Sequence, residues 1–204
     1  MNKFCILILS SYLFFIMGCA KPEVSEMTFS KIDTANDPIQ IQLSGDTDVI
    51  TKDIKNGKIN IEPVAEYKVA GKVAHNGAYD DWVGKFTPIS DVTLIWGKLA
   101  DPESEKYLEW RILSPGWAYK AEGPLDASYL QDHFGRYYVY PANDNIGKAV
   151  RILKKNEKVV MEGFLINTKF TNNGEVSWTI GRLEPGWCKF FYVKKIRIGN
   201  NIYK

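Results

Sequence analysis

Few residues of this chain occur at spacings that support catalysis or metal binding. The two histidines, His75 and His133, are far apart, and neither belongs to a zinc-binding pattern such as His-Glu-x-x-His. The chain has no Gly-x-Ser-x-Gly nucleophile motif, phosphate-binding loop or dinucleotide-binding fingerprint. We therefore predict no catalytic residue, no metal site and no cofactor. The one local group of acids around a histidine, Asp126, Asp132 and His133, supports an alternative in which a hydrolase site assembles from dispersed residues.

The cysteine with the most informative context is Cys19. It lies at the end of an uncharged, mostly apolar stretch, residues 4–20, which follows the short positive start MNK. This layout is typical of a secretory signal, and the stretch is at the lower limit of the about 17–25 residues that span a bilayer as a helix. The sequence IMGC at residues 16–19 resembles the lipobox of bacterial lipoproteins. The resemblance implies that residues 1–18 are a signal peptide and that Cys19 becomes the lipidated first residue.

Lipidation would attach acyl chains to Cys19 through a thioether on its sulfur and through its freed amine. A single chain holds a protein at a membrane only weakly, whereas two or more hold it stably. We therefore expect a palmitate-bearing lipoprotein on a bacterial cell membrane, facing away from the cytoplasm. Ala20 stands in place of the aspartate that favours inner-membrane retention, so the outer membrane is the expected location where one exists. An uncleaved signal anchor and ordinary cleavage with release are the alternatives.

The other cysteines argue against an internal disulfide, and the charge balance argues against a nucleic-acid partner. Cys5 lies within the signal peptide and Cys19 is used for lipid, so Cys188 has no partner for an internal disulfide. Within the sequence GWCKFF, Cys188 is expected to be a buried small hydrophobe rather than a reactive thiol. The 26 Lys and Arg against 24 Asp and Glu give a net charge of +2, and so weak a field argues against a nucleic-acid partner.

The rest of the chain is predicted to form a polar tether and one domain. Residues 19–37 comprise the lipidated cysteine and a segment without periodicity, which is typical of a flexible linker. Residues 38–204 suit a single mixed α+β domain dominated by short antiparallel strands, with two or three helices. Alternating runs predict half-buried strands, for example at residues 39–43, 57–61, 67–73 and 159–165. The strand, helix and strand within residues 139–166 also permit a small barrel of the oligomer-binding (OB) type, which is the alternative architecture.

Three stretches predict helices. The clearest covers residues 143–156, where Asn143 can cap the start and apolar residues recur at helical spacing. A second is expected at residues 125–133. A short apolar helix is expected to begin at Ser90 as its N-cap and to end at Gly97.

Several segments together resemble a widespread family of uncharacterised bacterial proteins that carry an N-terminal signal or membrane anchor. The segments are PVAEY at 63–67, ISD at 89–91, WGKL at 96–99, YPAN at 140–143 and the stretch from Lys155 to GFLI at 163–166. The likeness covers about residues 38–198 and implies one exported domain without implying an activity. Members often have a histidine three places before the proline of the Pro-Ala pair. This chain has Tyr138 there, so no catalytic role for that histidine is expected.

Aromatic residues supply the binding prediction. Trp110, Trp117 and Tyr119 flank a turn signal, Pro115-Gly116, and are candidates for a platform on which sugar rings stack; the alternative is that they fill the core. The expected function is a non-enzymatic, membrane-anchored envelope protein that binds a protein or glycan partner. The segment 189–204 has basic residues and no acid, and it predicts either a basic face toward anionic headgroups or an edge strand protected by lysines.

Overall fold

The computed structural model describes residues 21–45, 47–54, 57–78, 90–113, 116–121, 126–172, 175–179, 183 and 188–204. The strands in these residues are β1 (Glu26–Met27), β2 (Ile39–Gln42), β3 (Ile50–Ile54), β4 (Gly57–Ala78), β5 (Ser90–Ile95), β6 (Leu108–Leu113), β7 (Gly116–Ala121), β8 (Phe134–Pro141), β9 (Lys158–Asn172), β10 (Glu175–Thr179), β11 (Cys188–Ile198) and β12 (Asn201–Tyr203). The helices are α1 (Pro102–Glu105), α2 (Ala127–Asp132) and α3 (Asp144–Arg151), and a 3-10 turn covers Gly97–Ala100. None of these helices is long and apolar enough to span a membrane.

Five of the strands pair in a closed circuit. β4 pairs with β5 and β5 with β8, both antiparallel, and β8 lies parallel to β11. β9 pairs antiparallel with both β11 and β4, which closes the circuit. β2 and β3 lie along one edge of β4, β10 pairs with β9, β12 joins β11, and β6 and β7 form a separate hairpin. The predicted class, a mixed α+β domain dominated by antiparallel strands with three helices in the described residues, is confirmed.

The core lies inside this circuit because side chains alternate between the two faces of each strand. On β4 the inward residues Tyr67, Val69 and Val73 are nearly or fully buried. The hydroxyl group of Tyr67 lies 2.9 Å from that of Tyr137 on β8, and the two form a buried hydrogen bond. The backbones of β9 and β11 approach closely at Gly163, where a Cβ would overlap the carbonyl oxygen of Tyr192. This close approach explains why the position requires glycine.

Helix α3 forms as the sequence predicts. The Asn143 side chain accepts a hydrogen bond of 3.0 Å from the N–H of Ile146, which satisfies one of the free donors at the helix start. Ile146, Ala149 and Val150 are at most 1% exposed and close one end of the core. The helix ends at Arg151 rather than at the predicted residue 156. Asn156, with a φ of 71°, lies in a separate turn in which the N–H of Glu157 donates to the carbonyl of Lys154. The helix predicted at 125–133 corresponds to α2, which is capped by Asp126.

The predicted helix from Ser90 to Gly97 is wrong, because this segment is the strand β5. All of its residues are buried, since the core covers one face and the 3-10 turn and α2 cover the other through Leu99 and Leu130, which pack on Ile95. A strand buried on both faces does not alternate, and its apolar run is then indistinguishable from a short helix.

Residues from the predicted tether lie along the domain. β1 pairs with β12, with Glu26 opposite Ile202, and the N–H of Gly97 donates a 2.8 Å hydrogen bond to the carbonyl of Thr34. The side chain of Ile32 is only 6% exposed. Strand β2 follows, but it is exposed along its whole length rather than half-buried, because it lies at an edge of the sheet.

Candidate functional site: an aromatic platform on the outer face

Large aromatic side chains line the outer face of three neighbouring strands. In β8 and β11 they occupy alternate positions, and the register places Tyr138 opposite Phe190 and Tyr140 opposite Tyr192. In β9, Phe164 lies opposite Tyr192. Directly opposite residues on paired strands have side chains on the same face. These five residues are called the aromatic platform below.

The rings of the platform are in contact and only partly covered. The ring centroids of Tyr138 and Phe190 are 5.1 Å apart, and those of Tyr140 and Phe190 are 6.1 Å apart, both in tilted geometry. These distances fall within the roughly 4.5–7 Å of favourable aromatic pairs. Tyr140 and Tyr192 are buried, whereas Tyr138, Phe164 and Phe190 are half-buried. Three of the five platform rings are therefore partly accessible to solvent, and two are not.

Three cationic groups lie over the platform rings. The guanidinium carbon of Arg136 is 5.1 Å from the centroid of the Tyr138 ring. The Nζ of Lys194 is 4.9 Å from the Phe164 ring and the Nζ of Lys52 is 5.1 Å from the Tyr192 ring. All three distances are within the about 6 Å of a cation–π interaction. Cationic groups therefore border the half-buried aromatic surface.

Arg136 is held in place by a buried ion pair with Asp91 on β5. Its Nε lies 2.9 and 3.1 Å from the two carboxylate oxygens, and its Nη2 lies 2.6 Å from Oδ2. The side chains are 12% and 6% exposed. Burial opposes the charge of the guanidinium, but the bonds to the carboxylate outweigh this and raise the pKa of Arg136. Cys188, expected to be buried, is half-buried, with its Sγ 3.9 Å from Nη1 of Arg136.

Lys52 on β3 binds the backbone at the end of β8 and lies over a platform ring. Its Nζ donates hydrogen bonds of 2.9 and 2.8 Å to the carbonyls of Pro141 and Ala142, between β8 and α3. Burial lowers the pKa of Lys52, and the nearby Asp144 opposes this effect. The ammonium group thus connects β3 to the end of β8 while it covers the Tyr192 ring.

Beside the platform lies a cleft of about 520 Å³, called the lysine cleft below. It is lined by Ile39, Ile41, Glu66, Tyr67, Lys68, Glu162, Gly163, Phe164, Lys194, Lys195 and Lys204. A row of paired residues crosses it, in which Glu162 lies 3.1 Å from the Nζ of Lys68 and 3.4 Å from that of Lys195. Burial raises the pKa of Glu162, but the two ammonium groups outweigh it and the pKa is lowered. Phe164 belongs to both the cleft and the platform.

A second cleft, of about 560 Å³, contains His133. The Nδ1 of His133 lies 2.8 Å from the carbonyl of Tyr129, whose ring stacks on the imidazole at 3.7 Å. Its Nε2 is 3.8 Å from Oδ1 of Asp37, which also accepts a hydrogen bond from Trp96. Asp132 lines the cleft, but Asp126 does not, because it caps α2 through the N–H of Ser128. No serine, threonine or cysteine is among the described residues that line this cleft.

The residues predicted as sites lie mostly outside the described part of the chain. Cys19 is outside it, and so are the side chains of Trp110, Trp117 and Tyr119, although their backbones belong to β6 and β7. In the hairpin Trp110 lies opposite Tyr119. Within the described residues no group of three or more His, Cys, Asp and Glu side chains could hold a metal ion.

Sequence reasoning did not identify the aromatic platform. Its signal is visible in the segments YYVY at 137–140 and FFY at 190–192, where aromatic residues recur at every second position. Such repetition on both faces of a strand indicates that the outer face is also aromatic.

Comparison of the chain with protein-family models, with curated proteins and with solved structures found no match. The family resemblance therefore stays a prediction.

Proposed function

We propose that this chain is a bacterial envelope lipoprotein, anchored through lipid on Cys19, whose domain binds an acidic glycan at the aromatic platform without catalysing a reaction. The anchor rests on the apolar stretch and the sequence IMGC before residue 20. Two or more acyl chains on Cys19 would hold the domain at the membrane surface stably.

The observation that carries the binding proposal is the half-buried aromatic surface bordered by cations. Aromatic side chains offer large apolar faces at low cost in conformational entropy, which suits the flat faces of sugar rings. The charge of Arg136 is balanced by Asp91, but Lys194, which is exposed, and Lys52, which is half-buried, add positive charge at the rim, and this favours sugars that carry carboxylate or phosphate groups. A surface of this kind selects a charged glycan over a neutral one.

The strand order supports the same proposal. The circuit β4, β5, β8, β11, β9, with α3 between β8 and β9, is compatible with the alternative architecture, a small OB-type barrel. Barrels of this type bind oligosaccharides and oligonucleotides on the face formed by their second and third strands. Here those strands are β5 and β8, which carry Asp91, Arg136 and Tyr138.

The anchor is tested by metabolic labelling with a palmitate analogue. Wild-type protein and a Cys188→Ala control are expected to carry the label, whereas Cys19→Ala is expected to lose it. Label on the Cys19→Ala variant would refute lipidation at this residue.

The binding site is tested by co-sedimentation of the full-length, detergent-solubilised protein with insoluble peptidoglycan, an acidic glycan, and with cellulose, a neutral one. Removing one stacking ring costs about 1 kcal/mol, so Tyr138→Ala and Phe190→Ala should each weaken peptidoglycan binding by about fivefold. Tyr107→Ala is the matched control, because its half-buried ring also lies under an ammonium group, that of Lys106 at 5.2 Å, but outside the platform. Equal binding by all three variants, or equal retention on cellulose, would contradict the proposal.

A further inference from the structure

The described domain begins very close to the proposed lipid site. The N–H and carbonyl of Glu23 are hydrogen-bonded to the side chain of Asn145 at 2.6 and 2.8 Å, and the N–H of Ser25 bonds to the carbonyl of Ile202. Four residue steps from Cys19 to Glu23 span at most about 14 Å, at roughly 3.3–3.6 Å per residue. Because the segment from Cys19 to Glu23 is so short, the start of α3 must lie near the bilayer surface whenever Cys19 carries lipid.

The segment next to this tether exposes large apolar side chains. Val24 is 42% exposed, Met27 61% and Phe29 81%. Together they account for three of the seven large apolar side chains that are exposed in the described part of the chain. Exposed apolar groups gathered in one short segment indicate a contact with a partner or a membrane.

One residue of this segment reaches the edge of the lysine cleft through an ion pair. Glu26 of β1 forms an ion pair with Lys204, and Lys204 lines the cleft together with Ile39 and Ile41, which are 57% and 56% exposed. Apolar side chains bordered by lysines match the boundary between acyl chains and anionic headgroups.

One predicted basic residue does not take part in this surface. Lys189 is only 4% exposed, and its Nζ donates a 2.8 Å hydrogen bond to the carbonyl of Leu183. The cation beside residues 24–29 is Lys204, which pairs with Glu26, and Lys21 precedes the segment in the chain.

We propose that residues 24–29, with Lys204 beside them, form the face of the domain that lies on the membrane, with Met27 and Phe29 in the headgroup region of the bilayer. The proposal rests on lipidation of Cys19. The short tether keeps the face at a high effective concentration next to the bilayer, so a contact too weak to bind alone would persist. The domain would thus be held in one orientation rather than move freely on a long linker.

The test is site-specific photo-crosslinking in living cells that express the full-length chain. The variant Phe29→p-benzoylphenylalanine places the photoreactive group on a side chain that is 81% exposed, so the fold should not depend on it. The control variant, Tyr107→p-benzoylphenylalanine, is outside the proposed face. After illumination in the presence of radiolabelled phospholipid precursors, position 29 should capture at least about tenfold more phospholipid than position 107, because only position 29 meets lipid.

Two results would overturn the membrane face: equal phospholipid capture at both positions, or capture of a protein instead of lipid at position 29. Palmitate labelling of the same samples distinguishes a wrong orientation of the domain from a missing lipid on Cys19. A chain that carries palmitate on Cys19 but captures no phospholipid at position 29 refutes the orientation alone. A chain without palmitate refutes the proposed lipidation, and the orientation with it.

Discussion

Replacing Asp91 by asparagine tests how much the buried ion pair with Arg136 stabilises the fold. Asparagine keeps the shape of the aspartate side chain but removes its charge. Arg136, whose side chain is 12% exposed, would then remain buried beside a neutral amide. Three N–H to carboxylate contacts of 2.6–3.1 Å would lose their charge.

The expected loss of stability is large for a single substitution. Removing one partner of a buried ion pair costs about 3–5 kcal/mol, because the remaining charge stays buried and loses its carboxylate. Since about 1.4 kcal/mol changes an equilibrium constant tenfold, the unfolding constant of Asp91→Asn should rise by about two to three and a half orders of magnitude. Replacing both partners, as Asp91→Leu with Arg136→Met, should recover most of this loss, because no unpaired charge then remains.

The measurement is the free energy of unfolding from urea titration monitored by tryptophan fluorescence. Glu103→Gln is the matched control: Glu103 and Lys106 also form a short pair, at 2.7 Å, but their side chains are 86% and 56% exposed. Solvent screens such a pair, so the control should unfold nearly like wild type. If Asp91→Asn behaves like the control, or if the double replacement is as unstable as the single one, the reasoning about burial is wrong.

Three further predictions concern the core and the pH dependence of folding. Gly163→Ala should lower the free energy of unfolding, measured by urea titration, by about 3 kcal/mol, because the added Cβ overlaps a backbone oxygen. Gly147→Ala in α3 is the control: its Cβ has room, and the free energy of unfolding should rise by about 0.5–1 kcal/mol. Equal effects of the two substitutions would contradict the close approach. Tyr67→Phe and Tyr137→Phe should each cost about 1–3 kcal/mol because a buried hydroxyl loses its partner, and in a double-mutant cycle the double variant should lose less than the sum; additivity would refute the coupling. Burial chiefly lowers the pKa of His75 below its ordinary 6.5, with Asp91 raising it and Arg136 lowering it further. The unfolded chain therefore binds more protons below pH 6.5, and stability should fall as the pH drops below that value. A His75→Gln variant should lack this part of the pH dependence, and an unchanged profile would exclude His75 as its source.

The features that the sequence predicts well are those that depend on residues close together in the chain. Helix α3 is an example, because its N-cap and its apolar stripe are all within one short segment. The α+β class follows for the same reason, since alternation along each strand is a local pattern. The predicted helix at β5 failed because burial on its second face comes from Leu99 and Leu130, and nothing within β5 itself reveals that cover.

The aromatic platform illustrates the part that only pairing between distant strands decides. The sequence shows aromatic residues near positions 138 and 190, but not that β8 and β11 lie side by side in parallel, with Tyr138 opposite Phe190. The candidates Trp110 and Trp117 were chosen from the turn beside them, and their side chains lie outside the described residues.

By itself the sequence determined the class of the domain, its best-capped helix and the expectation of a lipid on Cys19, which remains a prediction. Each depends on residue types at short spacing. The tertiary structure decided the closed circuit of strands, the half-buried rings beside the Asp91–Arg136 pair and the contact of β1 with β12. The physical reason is that strand register and the burial of a charge are set by groups brought together from opposite ends of the chain, and a local pattern carries no record of those partners.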